Sequence, residues 1–234
     1  MRFLAIATDF DGTLALNGHV KEETISTLRE ARNAGFKLIL ITGRELPELL
    51  NVFSRLDLFD LVVAENGALL FWPQTGTEKT LCDAPSQEFI SALREKQVTP
   101  LSIGRCVVAT VRPFDIQAQN VINRMNMGHR IIFNRESVMI LPAGIDKASG
   151  LRHATNQLHI PLSTVVGIGD AENDSSFLAE CGMSVAVSNA IQTLKDQVDV
   201  VTAGSAGAGV VECITSLLAS NETDSDSLPF SARL

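Results

Sequence analysis

Residues 8–14 of the chain read TDFDGTL and follow a short apolar run at residues 3–7. A short run without polar alternation, bounded by turn-forming residues, is typical of a β-strand that is buried on both faces of a sheet. Ligands of open α/β sheets bind beyond the carboxyl ends of the strands. The two acidic residues of the segment, Asp9 and Asp11, therefore lie where we expect a ligand site.

Two carboxylates this close repel each other by about 4 kcal/mol at a separation of ~4 Å and an effective dielectric constant of ~20. A cation would offset that repulsion. Mg2+ fits this position because it prefers oxygen ligands and binds one or two carboxylates together with phosphate oxygens of a substrate. Asp9 and Asp11 thus predict a magnesium site, although a strand end with two solvated aspartates would leave the same pattern.

The composition narrows the class of protein. The chain has 234 residues, of which 45% are hydrophobic, and this is enough for one core with or without a small inserted domain. A net charge of −8 without a basic stripe argues against nucleic-acid binding. No apolar run approaches the ~20 residues of a membrane span, and no signal-peptide pattern is present, so we expect a cytoplasmic protein without membrane contact.

Short apolar runs alternate with amphipathic helical segments in two parts of the chain, residues 1–81 and residues 144–220. This alternation is typical of an α/β fold with a parallel sheet. The predicted strands are residues 3–7, 36–41, 61–64, 164–168, 184–187 and 199–202. The predicted helices are residues 21–34, 45–56, 145–159, 175–180 and 191–197, and residues 209–219 close the core.

The pattern changes between these two parts. Residues 69–72 and 78–82 flank a polar turn and predict a β-hairpin. Residues 82–143 then combine two helices with short strands, which suggests a small α+β domain inserted into the sheet protein as a cap. Its predicted helices are residues 85–96 and 113–127, and its predicted strands are residues 106–111, 130–133 and 138–141. Residues 221–234 are polar and predict a tail or a linker.

Further polar residues fall at the ends of the predicted parallel strands or on the adjoining loops. Thr42 follows the second strand, and a right-handed crossover between the first two strands places it beside Asp9. Lys147 lies in the first turn of a helix, and Asp170 and Asp174 follow a later strand. Each alone has a structural explanation, as a helix cap or a solvated side chain. Their occurrence at one edge of one sheet favours a shared site.

The residue types at this edge suit phosphoryl transfer. A carboxylate can attack phosphorus and form an aspartyl-phosphate, which divides one difficult step into two. A second carboxylate can protonate the leaving alcohol and later deprotonate the attacking water. A hydroxyl, a lysine and a metal ion can hold the phosphoryl oxygens while their charge is redistributed. The sequence contains a candidate for each of these roles.

Four motifs in this order resemble those of the haloacid dehalogenase (HAD) superfamily, in its Cof-type (IIB) branch. They are DFDGT at residues 9–13, ITGR at residues 41–44, Lys147, and GDAEND at residues 169–174. The insert between the second and third motifs is similar in position to the larger α/β cap of that branch. The resemblance implies an α/β fold, with a Rossmann-like parallel-sheet HAD core and an inserted small α+β cap domain.

The resemblance also implies a role for each site residue. Asp9 is the implied nucleophile, and Asp11 is the implied general acid and base. The implied ligands of the cofactor Mg2+ are Asp9, Asp11 and Asp170, with Asp174 supporting or joining them. The implied phosphate-binding residues are Thr42, Gly43, Lys147 and Asn173, together with Arg44, which orients the phosphate or the leaving group.

The implied activity is Mg2+-dependent hydrolysis of a phosphomonoester by a monomer or homodimer. Chain length, a small cap and the ENGA turn at residues 65–68 are most similar to the phosphoglycolate phosphatase and sugar phosphatase members of the branch. The implied substrate is therefore a small phosphorylated metabolite. Two alternatives stay open: a phosphomutase or phosphotransferase that passes the phosphoryl group to a sugar, and a non-catalytic phosphate-binding module.

The cap is expected to select the leaving group, because a cap that closes over the core both excludes water and contacts the substrate. An arginine on that surface would favour a substrate with a carboxylate or a second phosphate. The candidate residues are Arg105, Arg112, Arg135 and Ser137.

Overall fold

A computed structural model describes the backbone of residues 2–222 and the side chains of residues 2–220. Twelve β-strands lie in this part of the chain: β1 Ala5–Asp9, β2 Lys37–Ile41, β3 Leu61–Ala64, β4 Leu69–Trp72, β5 Thr77–Thr80, β6 Ser102–Ile103, β7 Val108–Val111, β8 His129–Asn134, β9 Ser137–Pro142, β10 Val165–Gly169, β11 Met183–Ala186 and β12 Val200–Val201. The α-helices are α1 Glu22–Asn33, α2 Leu46–Val52, α3 Gln87–Glu95, α4 Asp115–Arg124, α5 Lys147–Leu158, α6 Ser175–Leu178, α7 Gln192–Lys195 and α8 Gly207–Glu222. No helix within residues 2–222 has the length and apolar character needed to cross a membrane.

The larger sheet has eight strands in the order β12-β11-β10-β1-β2-β3-β4-β5. The strands from β12 to β3 pair in parallel, and β4 and β5 extend the edge as an antiparallel hairpin. The predicted parallel sheet and the predicted hairpin are both confirmed. Because β1 lies between β10 and β2, the loops that follow these three strands meet at one edge of the sheet.

Helices cover both faces of this sheet, which explains why residues 38–41 of β2 are all apolar. Leu38 and Leu40 pack on the face covered by α1 and α8, whereas Ile39 and Ile41 pack on the face covered by α5. Each of these four residues adds hydrophobic stabilisation, at about 25 cal/mol per Å2 of buried apolar surface. This three-layer arrangement is the α/β fold predicted from the sequence.

The smaller sheet is antiparallel and has the strand order β6-β7-β9-β8. Helices α3 and α4 pack on it through an apolar cluster that includes Phe89, Leu93, Val121 and Ile140. This α+β unit interrupts the larger sheet between β5 and β10, so the predicted fold class with an inserted α+β cap is confirmed. We call this unit the cap and propose residues 82–143 as its limits.

Several elements of the parallel-sheet part end at other residues than predicted, and β1 and α2 are two of them. β1 extends two residues beyond the predicted strand, because Asp9 still pairs in register with Ile41 of β2. Helix α2 ends at Val52 rather than at residue 56, since Phe53 adopts an extended backbone conformation. Asp9 is therefore the last residue of a strand, and its pairing with Ile41 of β2 holds its backbone in the sheet.

Other differences lie in the cap and at the carboxyl end. The two-residue strand β6 was not predicted, because two residues carry no detectable periodicity. β7 begins at Val108 rather than at residue 106, for a reason described with the site. Helix α8 runs over Gly207–Glu222 and so includes the first two residues of the predicted polar tail. The rest of that tail, residues 223–234, lies outside the described residues.

Helix α5 begins against the turn formed by residues 65–67. The Asp146 carboxylate accepts the N–H of Ser149 at 2.8 Å, and the Ser149 hydroxyl accepts the N–H of Asp146 at 2.9 Å, which caps the helix. At Gly67 a Cβ atom would lie 1.9 Å from the Asp146 carbonyl oxygen, and its φ of +106° also favours glycine. This close approach places Lys147 beside the ends of β1 and β10.

Candidate active site

The centre of the site is a buried lysine. Lys147, the first residue of α5, donates from Nζ to Asp9 Oδ1 at 2.5 Å and to Asp174 Oδ1 at 2.6 Å. Its side chain is 1% exposed. Burial disfavours the charged amine, but the two carboxylates outweigh burial and raise the pKa of Lys147, so the lysine stays protonated. The structure thus brings together three predicted site residues from distant parts of the chain.

Asp9, Asp170 and Asp174 form a buried acidic cluster, in which one carboxylate oxygen of each residue lies within 4.8 Å of the others. Burial is the main reason why the pKa of Asp9 is raised; Lys147 opposes the shift, and the charges of Asp174 and Asp170 add to it. Burial and the charge of Asp174 also raise the pKa of Asp170. The cluster therefore holds more negative charge than the lysine alone offsets.

The donor set of the acidic cluster fits a hard divalent cation. Carboxylate oxygens are the ligands that Mg2+ prefers, and a cation would relieve the repulsion among them. Other contacts fix these side chains: Thr13 Oγ1 donates to Asp170 Oδ1 at 2.9 Å. The N–H groups of Asp170 and Ala171 donate to Asp174 Oδ2 at 2.8 and 3.0 Å. Of the four predicted metal ligands, Asp9, Asp170 and Asp174 are thus held together.

A cleft of about 770 Å3 opens between this edge of the larger sheet and the cap. The core side of the cleft includes the carboxyl end of β1 and the loop after β2. The cap side includes the turn between β8 and β9. The predicted site residues that line the cleft are Asp9, Asp11, Gly43, Arg44, Arg135 and Ser137.

Asp11, the fourth predicted metal ligand, lies outside the acidic cluster. Its carboxylate accepts hydrogen bonds from Arg44, with Nε to Oδ2 at 2.6 Å and Nη2 to Oδ1 at 2.8 Å. The reason is the course of the backbone: Phe10 turns into the core after the end of β1. The chain then turns sharply at Gly12, whose φ is +86°. The Asp11 side chain is 36% exposed and lines the cleft, where it can reach a substrate.

Two predicted phosphate-binding residues lie on the loop after β2. Thr42 is buried, and its hydroxyl accepts the N–H of Arg44 at 3.1 Å. Gly43 lines the cleft below the cap, where a Cβ atom would lie 3.2 Å from the side chain of Met139. A side chain at residue 43 would therefore crowd Met139 of the cap.

Two buried asparagines face each other beside this loop. Asn173 Nδ2 donates to Asn66 Oδ1 at 3.1 Å, and the backbone N–H of Asn66 donates to the Thr42 carbonyl at 2.9 Å. Within residues 2–220, Asn66 Nδ2 and Asn173 Oδ1 are buried without a hydrogen-bond partner. Buried amides are rarely unpaired, and a free N–H donor here suits an oxygen of a bound anion. Asn66 was not predicted as a site residue.

The four cap residues that were predicted to contact the substrate fall into two groups. Arg105 Nε donates to Glu78 Oε2 at 3.0 Å near the surface. The guanidinium group of Arg112 lies over the ring of Phe133, 4.4 Å from its centroid. These two predicted residues do not line the cleft. The two predicted cap residues that line it are Arg135 and Ser137.

Glu65 joins the turn after β3 to the cap, and sequence reasoning missed it. The residue is fully buried and has a φ of +50°. Its Oε1 accepts the N–H of Arg105 at 2.8 Å, and its Oε2 accepts the N–H groups of Cys106 and Val107 at 2.8 and 3.0 Å. Because these N–H groups are bonded to Glu65, they do not pair with a neighbouring strand, and β7 starts only at Val108.

Substitution of Glu65 by glutamine is expected to lower the free energy of unfolding by about 1–3 kcal/mol, because one amide N–H2 group would face backbone N–H donors in a buried site. Urea denaturation measures the loss. The matched control is Glu78→Gln, which removes one charge from the half-exposed ion pair with Arg105 and is expected to cost about 1 kcal/mol or less. Equal losses in both variants would contradict an anchoring role for Glu65.

A family model for haloacid dehalogenase-like hydrolases matches residues 6–104 and 87–214. A phosphoglycolate phosphatase of Pyrobaculum neutrophilum is 29% identical over 225 residues, covering 91% of this chain and 95% of the relative. A second relative, phosphoglycolate phosphatase 2 of Saccharolobus solfataricus, is 29% identical over 223 residues, covering 93% of this chain and 94% of the relative. These alignments run through both the larger sheet and the cap.

Solved structures share the fold at lower identity. A HAD subclass IIB sugar phosphatase superposes with a TM-score of 0.72 at 20% identity, covering 94% of this chain and 98% of that chain. The fold, the motifs and the match of the family model over most of the sequence agree. The chain therefore belongs to the haloacid dehalogenase-like hydrolase family and is an enzyme of its phosphatase branch.

Proposed function

We propose that the chain is a Mg2+-dependent phosphomonoester hydrolase that forms an aspartyl-phosphate on Asp9 and acts on a small phosphorylated metabolite. The observation that carries this proposal is the buried contact of Lys147 with Asp9 and Asp174 at the base of a cleft. The relatives named phosphoglycolate phosphatase and the structural neighbour named sugar phosphatase support phosphoglycolate or a sugar phosphate as substrate.

Asp9 has the position of a nucleophile. Lys147 holds Asp9 Oδ1, and the side chain lines the cleft, so Oδ2 is the oxygen that would attack phosphorus. Attack forms the acyl phosphate and expels the alcohol, and water then hydrolyses the acyl phosphate. The fixed backbone at the end of β1 holds Asp9 in one orientation, which lowers the entropic cost of reaching the transition state.

Asp11 would carry the proton in both steps. It lines the cleft two residues beyond Asp9, where it can protonate the leaving oxygen and later deprotonate water. The Arg44 guanidinium group donates two hydrogen bonds to Asp11 and a third to Glu48. We infer that an entering substrate draws the Arg44 guanidinium group toward the phosphate or the leaving group, which frees Asp11 for proton transfer.

The remaining residues would hold the phosphate and the metal. The Thr42 hydroxyl, the Gly43 backbone, Lys147 and the Asn66–Asn173 pair surround the place where the phosphoryl oxygens would lie. The proposed ligands of Mg2+ are Asp9, Asp170 and Asp174. A bound Mg2+ ion would supply positive charge that stabilises the transferring phosphoryl group.

Phosphate release from a panel of phosphomonoesters tests this proposal. The panel contains phosphoglycolate, several sugar phosphates and a chromogenic ester, each with Mg2+ and with a chelator. We expect turnover with Mg2+ and a loss of at least about 100-fold with the chelator, since the metal stabilises the transition state by several kcal/mol. Added Mg2+ should restore the activity. Equal turnover with and without the chelator would contradict the metal requirement.

The same measurement separates the alternatives. A phosphomutase or phosphotransferase would need an acceptor sugar or a bisphosphate activator and would release little free phosphate. A non-catalytic module would bind inorganic phosphate without hydrolysing any ester. The cluster of a nucleophile candidate, a lysine and two further carboxylates favours the hydrolase, because phosphate binding alone needs no carboxylate oriented to attack phosphorus.

A further inference from the structure

The turn between β8 and β9 carries one arginine across the cleft to the core. Arg135 lies at this turn with a φ of +53°, and its Nη2 donates to Asp170 Oδ2 at 2.8 Å. The Asp170 side chain is fully buried, whereas the Arg135 side chain is 60% exposed. Arg135 therefore approaches the acidic cluster from the open side of the cleft, which is the side that a leaving group would occupy.

The charges that line the cleft are mostly negative. The acidic residues among the lining side chains are Asp9, Asp11, Glu45, Glu48 and Glu136. The lining cations in the described part of the chain are Arg44 and Arg135. Arg44 is occupied by both Asp11 and Glu48, whereas the hydrogen bond of Arg135 goes to Asp170. A negatively charged leaving group would be repelled by this surface unless Arg135 received it.

We propose that Arg135 determines specificity and selects phosphomonoesters whose leaving group carries a carboxylate. This inference rests on the proposed function, because it names the substrate class of the same site. A guanidinium group binds a carboxylate through two parallel hydrogen bonds, and it gains nothing comparable from an uncharged alcohol. Phosphoglycolate has such a carboxylate, and a neutral sugar phosphate does not.

Arg135 can turn to a substrate because its contact with Asp170 is exchangeable. Asp170 is one of the proposed metal ligands, and a cation at Oδ2 would compete with the guanidinium group for that oxygen. The side chain is more than half exposed, so its movement requires no repacking of the core. The same turn also keeps Arg135 within reach of the phosphate site, since Asp170 belongs to the acidic cluster with Asp9.

Two further arginines of the cap serve to exclude a general charge effect. Arg112 is stacked on Phe133, and Arg105 is paired with Glu78, and both lie outside the lining of the cleft. Arg112 is the better control because it lies in the segment next to the β8–β9 turn, where its N–H donates to the Glu136 carbonyl at 3.0 Å.

The experiment compares phosphoglycolate with ethyl phosphate, which has the same two-carbon leaving group without the carboxylate. We expect Arg135→Gln to lower kcat/KM for phosphoglycolate by about 10- to 100-fold. This is the loss expected when hydrogen bonds to a charged group are removed. The effect on ethyl phosphate should be several-fold smaller. Arg112→Gln should leave the ratio of the two kcat/KM values at its original value. The two leaving groups differ in chemical reactivity. Each substrate is therefore compared with itself across the variants, so this difference cancels.

A binding measurement gives a second readout that does not depend on turnover. Calorimetry with Mg2+ present uses 3-phosphonopropionate, in which a CH2 group replaces the ester oxygen of phosphoglycolate, and propylphosphonate, which lacks its carboxylate. The original protein should prefer 3-phosphonopropionate, and Arg135→Gln should remove that preference.

The possible failures are distinguishable. A chain that hydrolyses neither ester, but prefers 3-phosphonopropionate and loses that preference in Arg135→Gln, loses the proposed hydrolase function and keeps the role of Arg135 in binding. A preference that Arg135→Gln leaves unchanged overturns that role. A chain that hydrolyses both esters, with a ratio that Arg135→Gln does not change, keeps the hydrolase function and overturns the role of Arg135. A chain that neither hydrolyses the esters nor binds the phosphonates overturns both.

Discussion

Replacement of Asp9 by asparagine is expected to lower kcat for phosphomonoester hydrolysis by about four orders of magnitude or more, the loss typical when a catalytic nucleophile is removed. Asparagine has nearly the same shape as aspartate, but its amide does not attack phosphorus. Phosphate release with Mg2+ present measures the loss. Mass spectrometry of the enzyme mixed with substrate should also detect a phosphorylated species in the original protein and none in the variant.

Two further variants make this result specific. Asp57→Asn is the matched control, because Asp57 pairs with Arg55 on the surface and is remote from the cleft. It should keep its turnover. Asp9→Ala excludes slow deamidation of asparagine to aspartate as a source of residual activity. If Asp9→Asn turned over substrate as fast as Asp57→Asn, while its circular dichroism spectrum was intact, the nucleophile would lie elsewhere.

The arrangement of the strands was predictable from the sequence because the larger sheet is buried on both faces. β2 is apolar at every buried position, so its short run stands out from the amphipathic helices on either side. Parallel strands then place all their carboxyl ends at one edge. That rule predicted that Asp9 and Asp174 lie at the same edge, and Lys147 was expected beside them in the first turn of a helix. The structure places the charged groups of all three in contact.

Contacts between distant segments were not predictable in this way. Glu65 follows a strand in the sequence and looks like an ordinary turn residue. Its partners are the N–H groups of Arg105, Cys106 and Val107, about forty residues further on, and backbone amides carry no sequence signal. The pairing of Asp11 with Arg44 depends on a backbone turn after β1 and was not predictable from the sequence either. Both contacts are determined by tertiary geometry rather than by residue type.

Substitution of Lys147 by methionine is expected to lower the free energy of unfolding by about 3–5 kcal/mol at neutral pH, because removing one partner of a buried ion pair leaves buried charge without compensation. Methionine has a similar length and an apolar body, so packing beside Phe177 is largely kept. The carboxylates of Asp9 and Asp174 would lose their common partner. Urea denaturation in the presence of a chelator measures the loss.

The pH dependence of that loss identifies its cause. Burial already raises the pKa of Asp9, and Lys147 opposes the shift, so the variant should raise the pKa of Asp9 further. When the pKa of a carboxyl group is higher in the folded than in the unfolded state, ionisation of that group lowers the free energy of unfolding. The full loss is present at pH values above the folded-state pKa. The deficit should therefore shrink as the pH falls and Asp9 becomes protonated within the fold.

The matched control is Lys37→Met, which breaks the ion pair with Asp60, where the lysine side chain is 51% exposed. Exposed pairs contribute about 1 kcal/mol or less, so this variant should lose little stability at any pH. If instead Lys147→Met and Lys37→Met lost the same stability, the acidic cluster would not depend on Lys147 for its charge balance. A deficit that stayed constant as the pH fell would assign the loss to packing, because an apolar contact does not titrate.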